Sequence, residues 1–205
     1  MDTPVLLIII GFLYIVVFGG LSLLRKEGLS MRFALESVAF TALVALLSWS
    51  SGFYIHPAIF LFVLYLVTMR VRLLVDIGNM LARRRNFATA EKIYHLAARL
   101  WPDPGNRAIV AVNEGTLRLQ QGALDESISI LKELLNQASL GFLGIRYESA
   151  AHYNLGVAYH RKGLESQAVA EFNTVLEIWP ASEYARAASH ALERHHRRQD
   201  QKPEP

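Results

Sequence analysis

Three places in this 205-residue chain hold side chains whose type and spacing could do chemistry. The first is Glu36, an acid about one turn inside an otherwise apolar run over residues 33–51. A carboxylate at mid-membrane is expensive and is often part of a proton or ion path. At this depth it can also reach the interface, or pair with Arg32 four residues before it. The second is His195-His196, which suggests a metal only until the geometry is considered. Adjacent residues on a helix point apart, and Arg197 and Arg198 would repel a cation, so a basic helix end complementing the dipole is the simpler account. The third is His56, which precedes Pro57 between two apolar runs and reads as a turn residue. With no cysteine there is no thiolate nucleophile, thiolate metal site or disulfide. No G-x-S-x-G, P-loop, H-E-x-x-H or pair of intramembrane carboxylates occurs. The expectation is a protein that is not an enzyme, with no cofactor, no metal site and no evident small-molecule substrate.

The elements around Glu36 are apolar spans. Residues 5–24 carry no charge, and about 20 apolar residues at ~1.5 Å rise each cover a hydrocarbon core. Further spans are expected over residues 33–51 and 53–72, joined by Ser50-Ser51-Gly52, so that residues 1–75 form a membrane domain. Asp2 and the lack of a small-residue cleavage motif favour a retained anchor over a signal peptide. Arg25, Lys26 and Arg32 lie in the first loop, and Arg70, Arg72, Arg83, Arg84 and Arg85 follow the third span. The positive-inside rule then puts the N-terminus outside and everything after the third span in the cytosol. A multi-pass protein of a bacterial inner membrane is the expected location. Residues 70–107 hold eight Lys or Arg against three acids, whereas residues 108–193 hold six against ten. The basic part is therefore next to the bilayer, where anionic headgroups attract each Lys or Arg by ~1 kcal/mol.

Beyond the spans the spacing is helical and repetitive. In residues 149–182, Leu155, Gly156, Tyr159, Ala168, Phe172 and Pro180 fall at fixed offsets, with His152 ahead of them. This resembles a tetratricopeptide repeat, whose pattern is W-x2-L-G-x2-Y, then Ala, Phe and Pro over roughly 34 residues. His152 stands where the family has Trp. Residues 71–104 repeat the pattern with Ile77, Gly78, Ala90, Tyr94, Ala97 and Pro102, and turn at Arg85-Asn86. Residues 108–141 repeat it more loosely around Gly115 and Gly122. Here Glu114 and Arg118 replace Leu and Tyr, Ser127 replaces Ala, and no Pro closes the unit. The resemblance implies an all-α fold: N-terminal transmembrane helices, then a tetratricopeptide-like α-solenoid over residues 71–198, with a capping helix over 182–198. Residues 199–205 are expected to be a disordered tail. In this reading Gly156 and Ala168 allow close helix approach, while Tyr159 and Phe172 fill the space between neighbouring repeats. Glu114 and Arg118, four apart, would pair on the helix surface. No Gly or Pro falls between Ala58 and Ile77, so the third span should run unbroken into the first repeat.

Repeats of this family bind proteins along a groove lined by the first helix of each unit. Carried onto this sequence, the groove comprises Asn79, Arg83, Asn113, Thr116, Tyr153, Asn154, His160 and Arg161. The three Asn suit peptide binding, because an amide both donates to and accepts from a backbone; the plainer alternative is that they bond between helices. Val75 and Ala150 stand where chaperone-binding members carry carboxylate-clamping cations. The apolar segment 140–145 either extends the second unit's last helix or contacts a partner or the membrane. The resulting expectation is a membrane-anchored scaffold or adaptor for a membrane-associated protein partner, in contact with the lipid bilayer. The alternative is an accessory subunit of a transport or enzyme complex in which the spans act and the repeats dock. Nucleic acid is not an expected partner, since the basic residues lie beside the membrane and the middle of the array is acidic.

Overall fold

The computed structural model describes residues 2–24, 31–138 and 143–200, with the side chains of His196 and residues 198–200 excepted. Among the described residues there are nine α-helices and no strand. The first three are α1 (Thr3–Leu24), α2 (Met31–Ser51) and α3 (Pro57–Arg83). Each is long and apolar enough to cross a membrane. Arg25 and Lys26 lie outside the described residues.

The third helix starts four residues later than its hydropathy suggests. Phe53, Tyr54 and Ile55 are apolar but not helical. His56 is the N-cap, its Nδ1 accepting from the Ala58 amide at 3.2 Å, and Pro57 follows in the first helical position. Pro fits there because that position has no helical partner for an N–H. His56 is thus a capping residue rather than a mere turn.

Leu7, Tyr14, Val44, Phe60 and Leu64 form the core between α1, α2 and α3. Gly11 admits Thr41 so closely that a Cβ would collide with it, the small-residue contact that lets apolar helices approach. Two polar pairs inside this bundle bond within it, the Tyr14 hydroxyl meeting Thr68 Oγ1 at 2.6 Å and Ser37 Oγ donating to the Phe33 carbonyl at 2.7 Å, whereas the buried Thr41 hydroxyl has no partner among the described residues. Phe12, Val16, Leu46 and Phe62 face outward. Helices that are apolar on both sides suit hydrocarbon rather than water.

α3 continues without a break past Arg70 to Arg83, about 40 Å in all. Its first half packs in the apolar bundle through Phe60 and Leu64. Its second half packs through Val71, Val75 and Ala82 in a separate core. The two halves of the chain therefore share one helix.

The remaining helices are α4 (Phe87–Arg99), α5 (Pro104–Gln121), α6 (Leu124–Ala138), α7 (Ile145–Arg161), α8 (Glu165–Ile178) and α9 (Glu183–Asp200). They pair as α3/α4, α5/α6 and α7/α8, with α9 last. One contact recurs in every pair. Gly78 lies under Tyr94, Gly115 under Leu131 and Gly156 under Phe172, each partner sixteen residues after its glycine. A Cβ on Gly115 would sit 2.8 Å from Leu131, and one on Gly156 would sit 2.7 Å from Phe172. Phe172 therefore fills space within its own pair, and it also borders a cleft between α8 and α9. Each pair also turns through one left-handed residue: Arg85 (φ 59°), Gly122 (φ 83°) and Gly163 (φ 79°). Asn86 then caps α4, its Oδ1 accepting from the Thr89 amide at 3.4 Å.

The second pair departs from the pattern in ways its contacts explain. Ser127, where the others have Ala, is fully buried and donates to the Gly115 carbonyl at 2.8 Å. Arg118 does not close the anticipated pair with Glu114. It reaches Glu91 of the preceding pair at 2.6 Å and Glu126 at 3.1 Å, while Glu114 faces His95 at 3.7 Å. α6 is described as far as Ala138 and residues 139–142 lie outside those described; Leu143 and Gly144 are not helical, so no single helix runs through 140–145. Leu143 packs on the core of the second and third pairs, and Gly144 caps α7. Ala185, Ala188 and Leu192 of α9 cover the same core. α9 runs to Asp200, two residues past its anticipated end, and 201–205 lie outside the described residues.

Candidate protein-binding groove

The first helices of the pairs pack one on the next, α3 on α5 and α5 on α7, and α7 touches α9. Among the described residues the backbones of α4, α6 and α8 do not approach one another as those of the first helices do. A row that touches on its inner layer and separates on its outer layer is curved, with the inner layer on the concave side. That side holds an open groove of about 720 Å³. Val75, Ile109, Val112 and Ala150, each almost fully buried, back it, polar groups supply most of its exposed lining, and Glu183 and Tyr184 of α9 line one end.

Six of the eight anticipated groove residues line it: Asn79, Arg83, Asn113, Thr116, Tyr153 and Asn154. The amides are partly engaged within the protein. Asn79 Oδ1 accepts from the Tyr94 hydroxyl at 2.6 Å. Asn113 Nδ2 donates to the Ile109 carbonyl at 2.7 Å, and Asn154 Nδ2 donates to Thr116 Oγ1 at 2.9 Å. These bonds orient each amide and leave its other end without a partner among the described residues: donors on Asn79, acceptors on Asn113 and Asn154. Asn79 and Asn154 thus bond between helices, as the plainer reading expects, whereas Asn113 bonds within α5. The charged residues around the groove are mixed, with Arg72, Arg83 and Arg146 beside Asp76 and Glu183.

Tyr153 contributes to the wall and to packing. Its ring lies 5.9 Å from those of both Phe172 and Tyr184. It therefore helps seat α9, and removing it would disturb more than the groove.

His160 and Arg161 lie elsewhere. His160 Nδ1 meets Glu165 at 2.9 Å beside a small cleft between α8 and α9, and His195 approaches the same carboxylate at 3.3 Å. Arg161 donates to the Leu119 carbonyl at 3.0 Å, satisfying the C-terminal end of α5. Both sit at the far end of α7, where the helix has left the groove, so they are corrected to structural residues. His152, in the place of the family's Trp, meets Glu171 at 2.6 Å.

A second polar cluster lies outside the groove, in a cavity of about 300 Å³ lined by Glu91, His95, Glu114, Arg118 and Glu126. Burial pushes the Glu114 carboxyl above the usual carboxylate range, while the hydrogen bond from Arg118 holds that of Glu91 below it. Burial also pushes the Tyr94 hydroxyl up to about 12, so it stays protonated and donates to Asn79.

At the junction of the two halves, Glu36 accepts from Arg32 Nε at 2.8 Å and from both terminal nitrogens of Arg70 at 2.6 and 3.0 Å. Arg70 Nε donates to the Leu100 carbonyl at 3.2 Å. One guanidinium therefore joins α2, α3 and the end of α4. The Arg32 pairing follows from spacing alone. The Arg70 pairing does not, because 34 residues separate the partners.

Comparison with known protein families, with curated proteins and with solved structures finds no match to this chain.

Proposed function

We propose that the protein is a membrane-anchored adaptor. In this reading α1, α2 and α3 cross a bilayer. The helical pairs are three tetratricopeptide-like repeats of an α-solenoid, capped by α9, and bind a segment of a membrane-associated partner at the cytosolic face. The observation that carries it is the groove: three successive first helices line one open cleft of about 720 Å³ with a mainly polar lining and oriented amides. An extended or helical peptide would lie along this lining, and the free ends of Asn79, Asn113 and Asn154 would pair with its polar groups. Holding the groove on a continuous α3 limits its orientation relative to the bilayer. A partner in the same membrane would then meet it at a raised effective concentration. The Lys and Arg distribution supports a cytosolic face of a bacterial inner membrane. Neutralisation of Glu36 by two arginines favours an anchor over the alternative in which the spans move protons or ions.

Two measurements test this reading. A C-terminal reporter active only in the cytosol should be active, and a reporter active only outside should be silent. Replacing Asn79, Arg83 and Asn113 together with Ala should weaken recovery of partners from membranes by about 1–3 kcal/mol, with helicity unchanged. Recovery at full yield would remove the groove from consideration.

A further inference from the structure

Trp101 has no role in the fold or in the groove. It lies in the turn between α4 and α5 with 77% of its surface exposed and a left-handed φ of 47°. A bulky residue in that region of φ is a strained outlier, of a kind that tends to persist where the conformation serves a purpose. Among the described residues its indole makes no hydrogen bond and no ring contact. The preceding residue, Leu100, gives its carbonyl to Arg70, which also grips Glu36 in the first turns of α2. The turn therefore sits level with the end of the apolar bundle. Exposed Arg99 and Arg107 flank it on either side. At the opposite end of α2 the exposed aromatics are Trp49, Phe53 and Tyr54. About 28 Å of helix separates Arg32 from Ser51, close to the thickness of a hydrocarbon core.

We infer that Trp101 is a lipid contact: its indole inserts into the headgroup region of the bilayer that α1, α2 and α3 cross, on the side of the helical pairs. Trp prefers that depth because the ring is apolar and its N–H finds an acceptor among the glycerol and headgroup oxygens. Arg99 and Arg107 add attraction to anionic lipid at the same level. Together with α3 this gives the helical pairs a second attachment point, which fixes their tilt against the membrane. The inference rests on α1, α2 and α3 being membrane spans.

The test uses the full chain in vesicles of phosphatidylcholine and phosphatidylglycerol, with bromine on the acyl carbons nearest the glycerol. Two single-tryptophan forms are compared. One keeps Trp101 and carries Trp49→Phe and Trp179→Phe, and the other keeps Trp49 and carries Trp101→Phe and Trp179→Phe. Trp101 should emit to the blue of an indole in water, lose most of its emission to brominated lipid and resist aqueous acrylamide. If Trp49 is quenched by the lipid while Trp101 is quenched only by acrylamide, Trp101 faces water and the inference fails, although the spans stand. If neither indole is quenched by lipid, the spans and the inference fall together. Because the chain has no cysteine, Trp101→Cys carrying a nitroxide gives a second depth measurement in the same vesicles. Preferential relaxation by a water-soluble nickel complex over oxygen would overturn the proposal equally.

Discussion

Arg70 forms a forked pair with Glu36, and both side chains are about one-quarter exposed. This pair joins α2 to α3 at the height where α3 leaves the apolar bundle, and Arg70 also holds the end of α4. Glu36→Ala or Arg70→Ala should each destabilise the protein by about 1–3 kcal/mol, because the remaining charge is left poorly solvated. Replacing both with Leu should recover most of that loss, because the charge that then loses its partner, Arg32, is 44% exposed and can be solvated. Thermal unfolding of the four forms in nanodiscs makes the comparison. If Glu36→Ala leaves stability unchanged, the pair does not tie the halves together.

Gly156 under Phe172 is the contact most sensitive to size. Gly156→Ala would place its Cβ 2.7 Å from a ring carbon, and the overpacking should destabilise by about 1–3 kcal/mol. Adding Phe172→Leu should restore part of the loss, since the second pair uses Leu131 at the same offset. Denaturant unfolding of the single and double variants would reveal the coupling.

Arg85 holds a left-handed conformation that its counterparts Gly122 and Gly163 adopt without strain. Its side chain is exposed. Arg85→Gly should therefore stabilise the turn by about 0.5–1 kcal/mol, the gain from relieved strain exceeding the added freedom of the unfolded chain. A lower melting temperature would show that the arginine side chain contributes more than its backbone costs.

Glu114 and Glu91 should respond to pH in opposite senses. Half-buried Glu114 titrates higher in the folded state than its ordinary value of 4.5, so the folded state binds more protons in that window. Stability from this group falls as pH rises from 4.5 through the folded value, and the penalty is constant above it. Glu91 titrates lower when folded, so its contribution is present above 4.5 and lost as pH falls through the folded value. Glu114→Gln should accordingly stabilise at neutral pH by about 0.5–1 kcal/mol, with the gain vanishing below pH 4.5. A gain independent of pH would rule out relief of the buried charge as its cause.

How much of this was legible in the sequence depended on distance along the chain. The recurrence of Gly78, Gly115 and Gly156 located three close helix contacts, because a small residue under a large one is a local packing demand. The continuity of α3 was legible from the lack of Gly and Pro between Ala58 and Ile77. The start of α3 was not, since hydropathy cannot distinguish helical Phe53-Tyr54-Ile55 from non-helical, although His56-Pro57 is a recognisable cap. The partners of Arg70 and Arg118 were missed because Glu36 and Glu91 are 34 and 27 residues away and meet them only in the folded chain. His160 and Arg161 were assigned to the groove by their place on α7. Their partners there, Glu165 and the Leu119 carbonyl, are set by the folded chain and not by position on α7.

The most direct test of an adaptor groove is site-specific photo-crosslinking in intact membranes. A photoreactive residue at Arg83, exposed on the rim of the groove, is compared with one at Lys132, exposed on α6 away from it. The account predicts discrete protein adducts from position 83 and none from position 132. Adducts of equal yield at both positions, or none at position 83 while the protein is present and helical, would contradict it.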